Sequence, residues 1–563
     1  MIEGLNPGLI LIAGAFLVPF TRGIVRQGLT LALPVLGMIQ LYSLGMGNWG
    51  HYDFLGMQIE LTRVDNLSRV FGTIFHIAAF IAMIYSLHVK DAMQQFTALI
   101  YIGSAIGAVF AGDMITLFAF WELTAISSVF LVWARRTERA YRAGIRYLII
   151  QVTSGVILMA GIILWYQATG SIAFNFIGVS TLAGGVILLA FGIKAAFPFL
   201  HNWMQDAYPE ATVTGTVILS TFTTKLAIYT LARAYPGTDI LIPIGAVMTA
   251  FPIFFAVLEN DLRRVLAYSL NNQLGFMVIG VGIGTEMAIN GTAAHAFAHI
   301  LYKSLLFMSM GAVLFRTGTI KASELGGLYK SMPLTAVFCI VGAMSIAAFP
   351  LTGGFVSKSM IQTAAADNGL VIAWLVMLFA SAGVMDHSGI KVPFFTFFAH
   401  DSGIRVKEAP VNMLLAMGIT AFLCIGIGVY PDPLYAILPF KVDYHPYSAG
   451  HVITQLQLLL FSVLAFALLV RFKIYPPELR STNLDFDWFY RKPLKALAIT
   501  TGRLIGKVWD WVGATGTAII DRIIRLSDIT HGDGRLMARS VSSGAAISVI
   551  LVIFGIVTVL FYR

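Results

Sequence analysis

Seven ionisable side chains stand in stretches too apolar to solvate them, and their types and spacing suit a proton path. Glu122 lies in MITLFAFWELTAISSVFLVW. Lys194 precedes the proline break of GIKAAFPFLHNWMQDAYPEA, and Lys225 follows in the next apolar helix, TFTTKLAIYTLARA. His295, His299 and Lys303 recur at i, i+4 and i+8 in HAFAHILYKSLLF. At about 100° per residue this sets all three on one helix face over about 12 Å. Lys358 follows a second proline-broken stretch, AAFPLTGGFVSK. A charge at the bilayer centre costs roughly 2.5–3.5 kcal/mol on insertion scales, so such residues face the bundle interior and mark ion routes. Imidazole exchanges protons near neutral pH. Burial taxes the charged form of lysine, so it too can load and release.

Each reading has a plainer rival. Glu122 is either a neutral acid bonded to helix backbone or the partner of Lys194. The second gives a switchable ion pair, in which a proton arriving at one partner loosens the other. Lysines can snorkel to the interface, which suits Lys358 best and Lys303 least. HxxxH can hold a metal, but a cation one turn on and no nearby carboxylate disfavour one. A haem between helices stays open, although no other span offers a clear partner histidine; a proton relay is preferred. Asp386, His387 and Lys391 in VMDHSGIKVPFF are either the end of the relay, an ion site opening toward His400 and Asp401, or interfacial polar residues. GVGIGTE at 280–286 lacks a strand–turn–helix context and reads as helix packing, not a nucleotide loop.

The elements that must hold these residues are membrane helices. The 563 residues are 58% hydrophobic and 12% charged, half the charge of an ordinary soluble domain (about 25%), and mean hydropathy is +0.82. Apolar runs near the ~20 residues a bilayer requires recur from 6–21 to 541–562, about sixteen in all. The first is expected to be a retained span, because MIEGLNPG lacks a basic leader. With the N-terminus outside, inside loops carry fifteen Lys and Arg, among them Arg135, Arg136, Arg139, Arg142 and Arg146, against three outside. That bias fits cytoplasmic loops and explains the +9 charge without nucleic acid. Cys339 and Cys424 stand apart in apolar runs, which excludes a cysteine-ligated iron–sulfur cluster. No cofactor and no metal are expected.

Two interrupted segments share a sequence, Ala195-Ala196-Phe197-Pro198 and Ala347-Ala348-Phe349-Pro350. Broken helices at matching places in two halves point to inverted repeats around a midplane site. After about residue 471 the texture changes. From Leu494 to Leu526, Leu, Ile, Val and Trp recur at helical spacing between Lys495, Arg503, Lys507, Arg522 and Arg525. This predicts an amphipathic helix on the cytoplasmic interface or against neighbouring subunits, rather than a plain linker.

The runs FWELTAISSVFLV, GIKAAFPFLHNWMQDAYPEA, TTKLAIYTLAR, DLRRVLAYSLNNQLG, HAFAHILYKSLLFMSMG and PLTGGFVSK resemble, in order and over roughly residues 60–430, the proton-translocating antiporter family. That family includes antiporter-like subunits of respiratory complex I and the A and D components of Mrp-type Na+/H+ antiporters. The resemblance implies an all-α polytopic membrane fold with about 14 core transmembrane helices, inverted repeats and two broken helices. A C-terminal extension with an amphipathic helix and a further span is similar to the lateral arm of the distal complex I subunit.

It implies that Glu122 and Lys194 are the essential pair of the first half-channel and Lys225 the bridging lysine. His295, His299 and Lys303 are then the central relay, and Lys358 the terminal residue; Lys391 receives no role. The expected organisation is N-terminal helices 1–94, half-channel repeats 95–258 and 259–400, and helices 401–471. A cytoplasmic-side amphipathic segment 472–540 and a terminal helix 541–563 follow. The function so implied is the proton-conducting, D-like subunit of a multisubunit cation (Na+)/H+ antiporter in the inner cell membrane, with other membrane subunits as partners. The rivals are a proton-pumping subunit of an NADH–quinone oxidoreductase or related hydrogenase, an auxiliary proton-coupled subunit of an inorganic carbon transporter, and a membrane scaffold.

Overall fold

A computed structural model describes residues 4–54, 56–479, 483–532, 535 and 541–562. Parts of the expected segment 472–540 (480–482, 533–534 and 536–540) lie outside the described residues, as do residues 1–3 of the leader reading. The chain forms two units, 1–483 and 484–563.

The first unit is a helical bundle with one hairpin. Its helices are α1 (Pro7–Ala15), α2 (Gly23–Ser43), α3 (Asn66–Tyr85), α4 (Ala92–Val109), α5 (Met114–Trp133), α6 (Glu138–Thr169), α7 (Leu182–Ala195), α8 (Asn202–Ala207), α9 (Val213–Thr221) and α10 (Thr223–Ala234). They continue as α11 (Leu241–Leu258), α12 (Leu262–Ile283), α13 (Glu286–Thr317), α14 (Pro333–Ile346), α15 (Gly353–Asp367), α16 (Val371–Val384), α17 (Val411–Val429), α18 (Asp432–Tyr435) and α19 (Ala449–Arg471). The hairpin β1 (Gly47–Phe54) and β2 (Met57–Val64) pairs antiparallel, with Gly47 opposite Val64. Each of the sixteen apolar runs falls on a helix or on the pieces of a broken one. Eleven helices among the described residues are long and apolar enough to cross a membrane, and the protein is an all-α, multi-pass membrane protein.

An internal repeat organises the bundle. Asp113 caps α5 and bridges Ala173, while Asp261, 148 positions on, caps α12 and bridges Lys321. Thr137 and Thr285 cap two 32-residue helices, α6 and α13, which end at left-handed Gly170 and Gly318. Four crossings (α6, α7 with α8, α9 with α10, and α11) lie between α5 and α12, so the second copy runs in the opposite sense: the repeats are inverted.

Both Ala-Ala-Phe-Pro stretches break the chain by one device. Ala196 and Ala348 take φ of 61° and 59°, and Phe197 and Phe349 donate their N–H back to Gly192 and Met344, each 2.9 Å away. This is the left-handed helix stop normally built with glycine, with proline close behind.

Two interruptions were not expected. The run 212–234 breaks at Phe222, where the Tyr101 hydroxyl takes the freed Thr223 N–H at 3.0 Å. Helix α16 continues as π-helical turns over Met385–Lys391 and Phe394–Phe398. Arg263, 1% exposed, fastens the first broken segment by donating to the carbonyls of Tyr208, Ala211 and Thr212.

The second unit contains α20 (Asp487–Arg491), α21 (Pro493–His531) and α22 (Ser543–Phe561). Helix α21 has 39 residues and is therefore about 58 Å long. It carries the amphipathic pattern expected from 494–526.

Candidate functional site

All four expected lysines are buried: Lys194 and Lys225 are 0% exposed, Lys303 and Lys358 1%. None snorkels. The breaks account for where two of them rest, since a helix end leaves carbonyls unpaired and carries partial negative charge. Lys225 Nζ donates to Ser220 O at 2.6 Å, in the last turn of α9. Lys358 Nζ donates to Ile346 O at 3.1 Å, the last carbonyl of α14, and stands 5.1 Å from the Phe276 ring centre.

Lys194 reaches across to α5. Its Nζ donates to Trp121 O at 2.7 Å and Thr124 Oγ1 at 2.9 Å, and it lies 4.2 Å from the Trp121 ring centre. The expected direct Glu122–Lys194 ion pair is not formed. Lys194 contacts residues on both sides of Glu122, but successive helix residues point about 100° apart. The face bearing Trp121 and Thr124 meets α7, and Glu122 turns toward α6. There Gly155 makes room for it: a Cβ on Gly155 would fall 1.3 Å from Glu122 Oε1. Glu122 Oε1 has no hydrogen-bond partner among the described residues. The two charges still act on each other at longer range.

Helix α13 carries the expected one-face stripe. His295 bridges two helices, with Nε2 3.2 Å from Gln273 Oε1 on α12 and Nδ1 3.2 Å from Ser357 Oγ on α15. Tyr302 donates to the same Gln273 oxygen at 3.1 Å. The rings of His295 and His299 lie 6.2 Å apart. Both ring nitrogens of His299 and the ammonium of Lys303 lack hydrogen-bond partners among the described residues. His299 lies within electrostatic range of Lys225, Lys303, His295 and Lys358. The structure thus gathers Lys225, His299, Lys303, His295 and Lys358 into one buried cluster. Lys194 stands on α7, which packs on α10, the helix of Lys225.

The VMDHSGIKV stretch is not interfacial. His387 and Lys391 are 0% exposed, because the π-helical turns carry them inward. His387 lies within range of Lys303, Lys358 and Lys391. Its Nδ1 meets Ser388 Oγ at 2.8 Å, and Ser388 donates to Ser269 Oγ at 2.7 Å. Lys391 Nζ donates to Val257 O (2.6 Å) and Glu259 O (2.8 Å) at the end of α11, and pairs with Glu478 at 2.9 Å. Asp401 instead pairs with Lys330 and Arg405 at the surface, away from this group. No group of three or more His, Cys, Asp or Glu side chains suited to a metal occurs among the described residues.

Such an inverted repeat, with its breaks meeting at buried lysines, defines a class of polytopic membrane protein. Residues 111–384 match the family model described as NADH:quinone oxidoreductase/Mrp antiporter, transmembrane. Over that segment, a little under half of its length, the chain is similar to the proton-translocating antiporter family. It is 27% identical to hydrogenase-4 component B of Escherichia coli over 416 residues, 65% of this chain, and spans 62% of that relative's length. It is 28% identical over 467 residues to the D component of the Na(+)/H(+) antiporter of Alkalihalophilus pseudofirmus, covering 75% of this chain and 93% of that one. The fold matches a chain of the Mrp complex from Dietzia sp. DQ12-45-1b with a TM-score of 0.74 at 23% identity, over 99% of this chain and 63% of that one.

Proposed function

We propose that this chain conducts protons as the D-like subunit of a multisubunit monovalent cation (Na+)/H+ antiporter in the inner cell membrane. The observation that carries the reading is Lys303: a buried ammonium with no hydrogen-bond partner among the described residues, within electrostatic range of Lys225. A structural lysine would be paired, because an unpaired buried charge is destabilising. One that holds its proton only in passing needs freedom instead.

In this reading Glu122 and Lys194 load the first repeat, and Lys225 hands on to Lys303 and His299. His295, Lys358, His387 and Lys391 carry the proton through the second. Like charges so close cannot all be held at once, so a proton entering at one end displaces one at the other. Charge crossing 100 mV is worth about 2.3 kcal/mol, within the range a shift of one or two units in proton affinity supplies (about 1.4 kcal/mol each).

The likeness to the antiporter's D component over most of both chains supports the antiporter. The likeness to hydrogenase-4 component B supports a second reading, the same proton path driven by redox partners. ΔpH-driven exchange in inverted vesicles holding the whole complex separates them. Proton movement on adding Na+ or K+ without NADH, lost in Lys194→Ala and Glu122→Ala, supports the antiporter. Movement only with reductant transfers the path to a redox complex, and flux indifferent to both substitutions overturns conduction by this chain.

A further inference from the structure

Glu478 lies outside every helix, in the strap that follows α19, yet its side chain is only 7% exposed. The strap is held by Tyr475, whose ring packs 5.0 Å from Phe466 and 6.3 Å from Phe395. Farther on, Asn483 Nδ2 reaches Glu259 Oε2 at 3.3 Å. Between these anchors Glu478 Oε1 stands 2.9 Å from Lys391 Nζ.

An ammonium has three protons to give, and Lys391 commits two of them to hydrogen bonds. These point at the carbonyls of Val257 and Glu259, which do not take up protons near neutral pH. Beside them Glu478 Oε1 stands at ion-pair distance, 2.9 Å from Nζ, without completing a hydrogen bond in this geometry. Glu478 is therefore the one base in direct contact with this end of the buried file among the described residues. A purely structural buried ion pair needs its lone pairs satisfied, but neither oxygen of Glu478 has a hydrogen-bond partner among the described residues. Asp386 and Glu259 also bear on Glu478, and Arg264 sits 3.7 Å from Glu259. Tyr475 and His387 complete the titratable surroundings. Burial raises the proton affinity of Glu478 against the opposing pull of Lys391, and the two neighbouring carboxylates raise it further.

We propose that Glu478 is the proton-exchange carboxylate of the second repeat, contributed by the strap rather than by a membrane helix. The proton leaves Lys391 Nζ for Glu478 Oε1, giving a neutral amine and a carboxylic acid. It then passes from Glu478 to water on the face of Arg263 and Arg264, which the basic-loop bias assigns to the cytoplasm; uptake is the reverse. The inference rests on the proton-conduction reading above.

The test uses the full complex in proteoliposomes with E478Q, E478D and Lys194→Ala. Proton flux falls on the order of a hundredfold in E478Q, the usual cost of losing an acid–base group. E478D restores flux with an altered pH profile. Acidifying the purified complex produces an infrared carboxylic-acid band that shifts in E478D, a readout that does not depend on E478Q assembling. An E478Q complex with wild-type flux overturns the proposal, as does a band that E478D leaves unmoved. Flux that survives Lys194→Ala overturns the conduction reading itself. Flux lost in Lys194→Ala but kept in E478Q overturns only the Glu478 step.

Discussion

Ala196 and Ala348, 152 residues apart, hold one backbone conformation, φ 61° and 59°, and each ends the helix that leads into a broken segment. Left-handed backbone costs an L-residue roughly 1–2 kcal/mol, so each stop is held by its surroundings: the back-donated Phe N–H and the proline beyond. The first break places Lys194 in the final turn of α7, and the second bares the Ile346 carbonyl on which Lys358 rests. The breaks are thus what position the lysines.

Ala196→Gly is expected to keep full flux and melt within about 1 kcal/mol of wild type, since glycine accepts this conformation at little cost. Ala196→Val, whose branched side chain disfavours it, is expected to lower both melting temperature and proton flux. Thermal melting of the purified complex beside vesicle flux checks the pair.

Glu122 depends on what Gly155 lacks. Gly155→Ala places a methyl group where the carboxylate oxygen now stands, and is expected to cut proton flux as deeply as Glu122→Gln. Gly185→Ala serves as control, because a Cβ there meets nothing within 4 Å. Equal flux in both glycine variants would show that the carboxylate needs no such cradle.

Asp65 caps α3 through Ser68 and holds Arg233 with two bonds of 2.9 and 2.8 Å. Burial works against its charge, but Arg233 and the cap outweigh it and hold the carboxyl down at about 2, below the usual 3.8. Its contribution is therefore complete above about pH 4 and is lost as pH falls through 2. The side chain is 32% exposed, so the worth is about 1–2 kcal/mol. Asp65→Asn should lower stability by that amount at pH 7, with the gap narrowing below pH 4 in a denaturation series.

Much of this was legible in the sequence, for physical reasons. Helix breaks at Pro198 and Pro350 announce themselves, and three residues at i, i+4 and i+8 must share a face. The break at Phe222 did not, because FTTK contains no breaker and the hydroxyl that satisfies it belongs to Tyr101, more than a hundred residues away. The aim of Glu122 depended on which face of α5 meets α7, a packing fact that composition does not carry. Nothing in the sequence separates Glu478 from a solvated loop carboxylate; its 7% exposure is a product of the fold. The β1–β2 hairpin was missed although Ile59 and Leu61 alternate with Gln58, Glu60 and Thr62.

The most direct measurement is proton flux through the purified, reconstituted complex carrying Lys303→Met. Methionine fills the same space without a charge to desolvate, and no described partner is left stranded, so the variant should melt no lower than wild type. Conduction through the buried file predicts flux reduced on the order of a hundredfold in that intact protein. Wild-type flux in a folded Lys303→Met complex would contradict it.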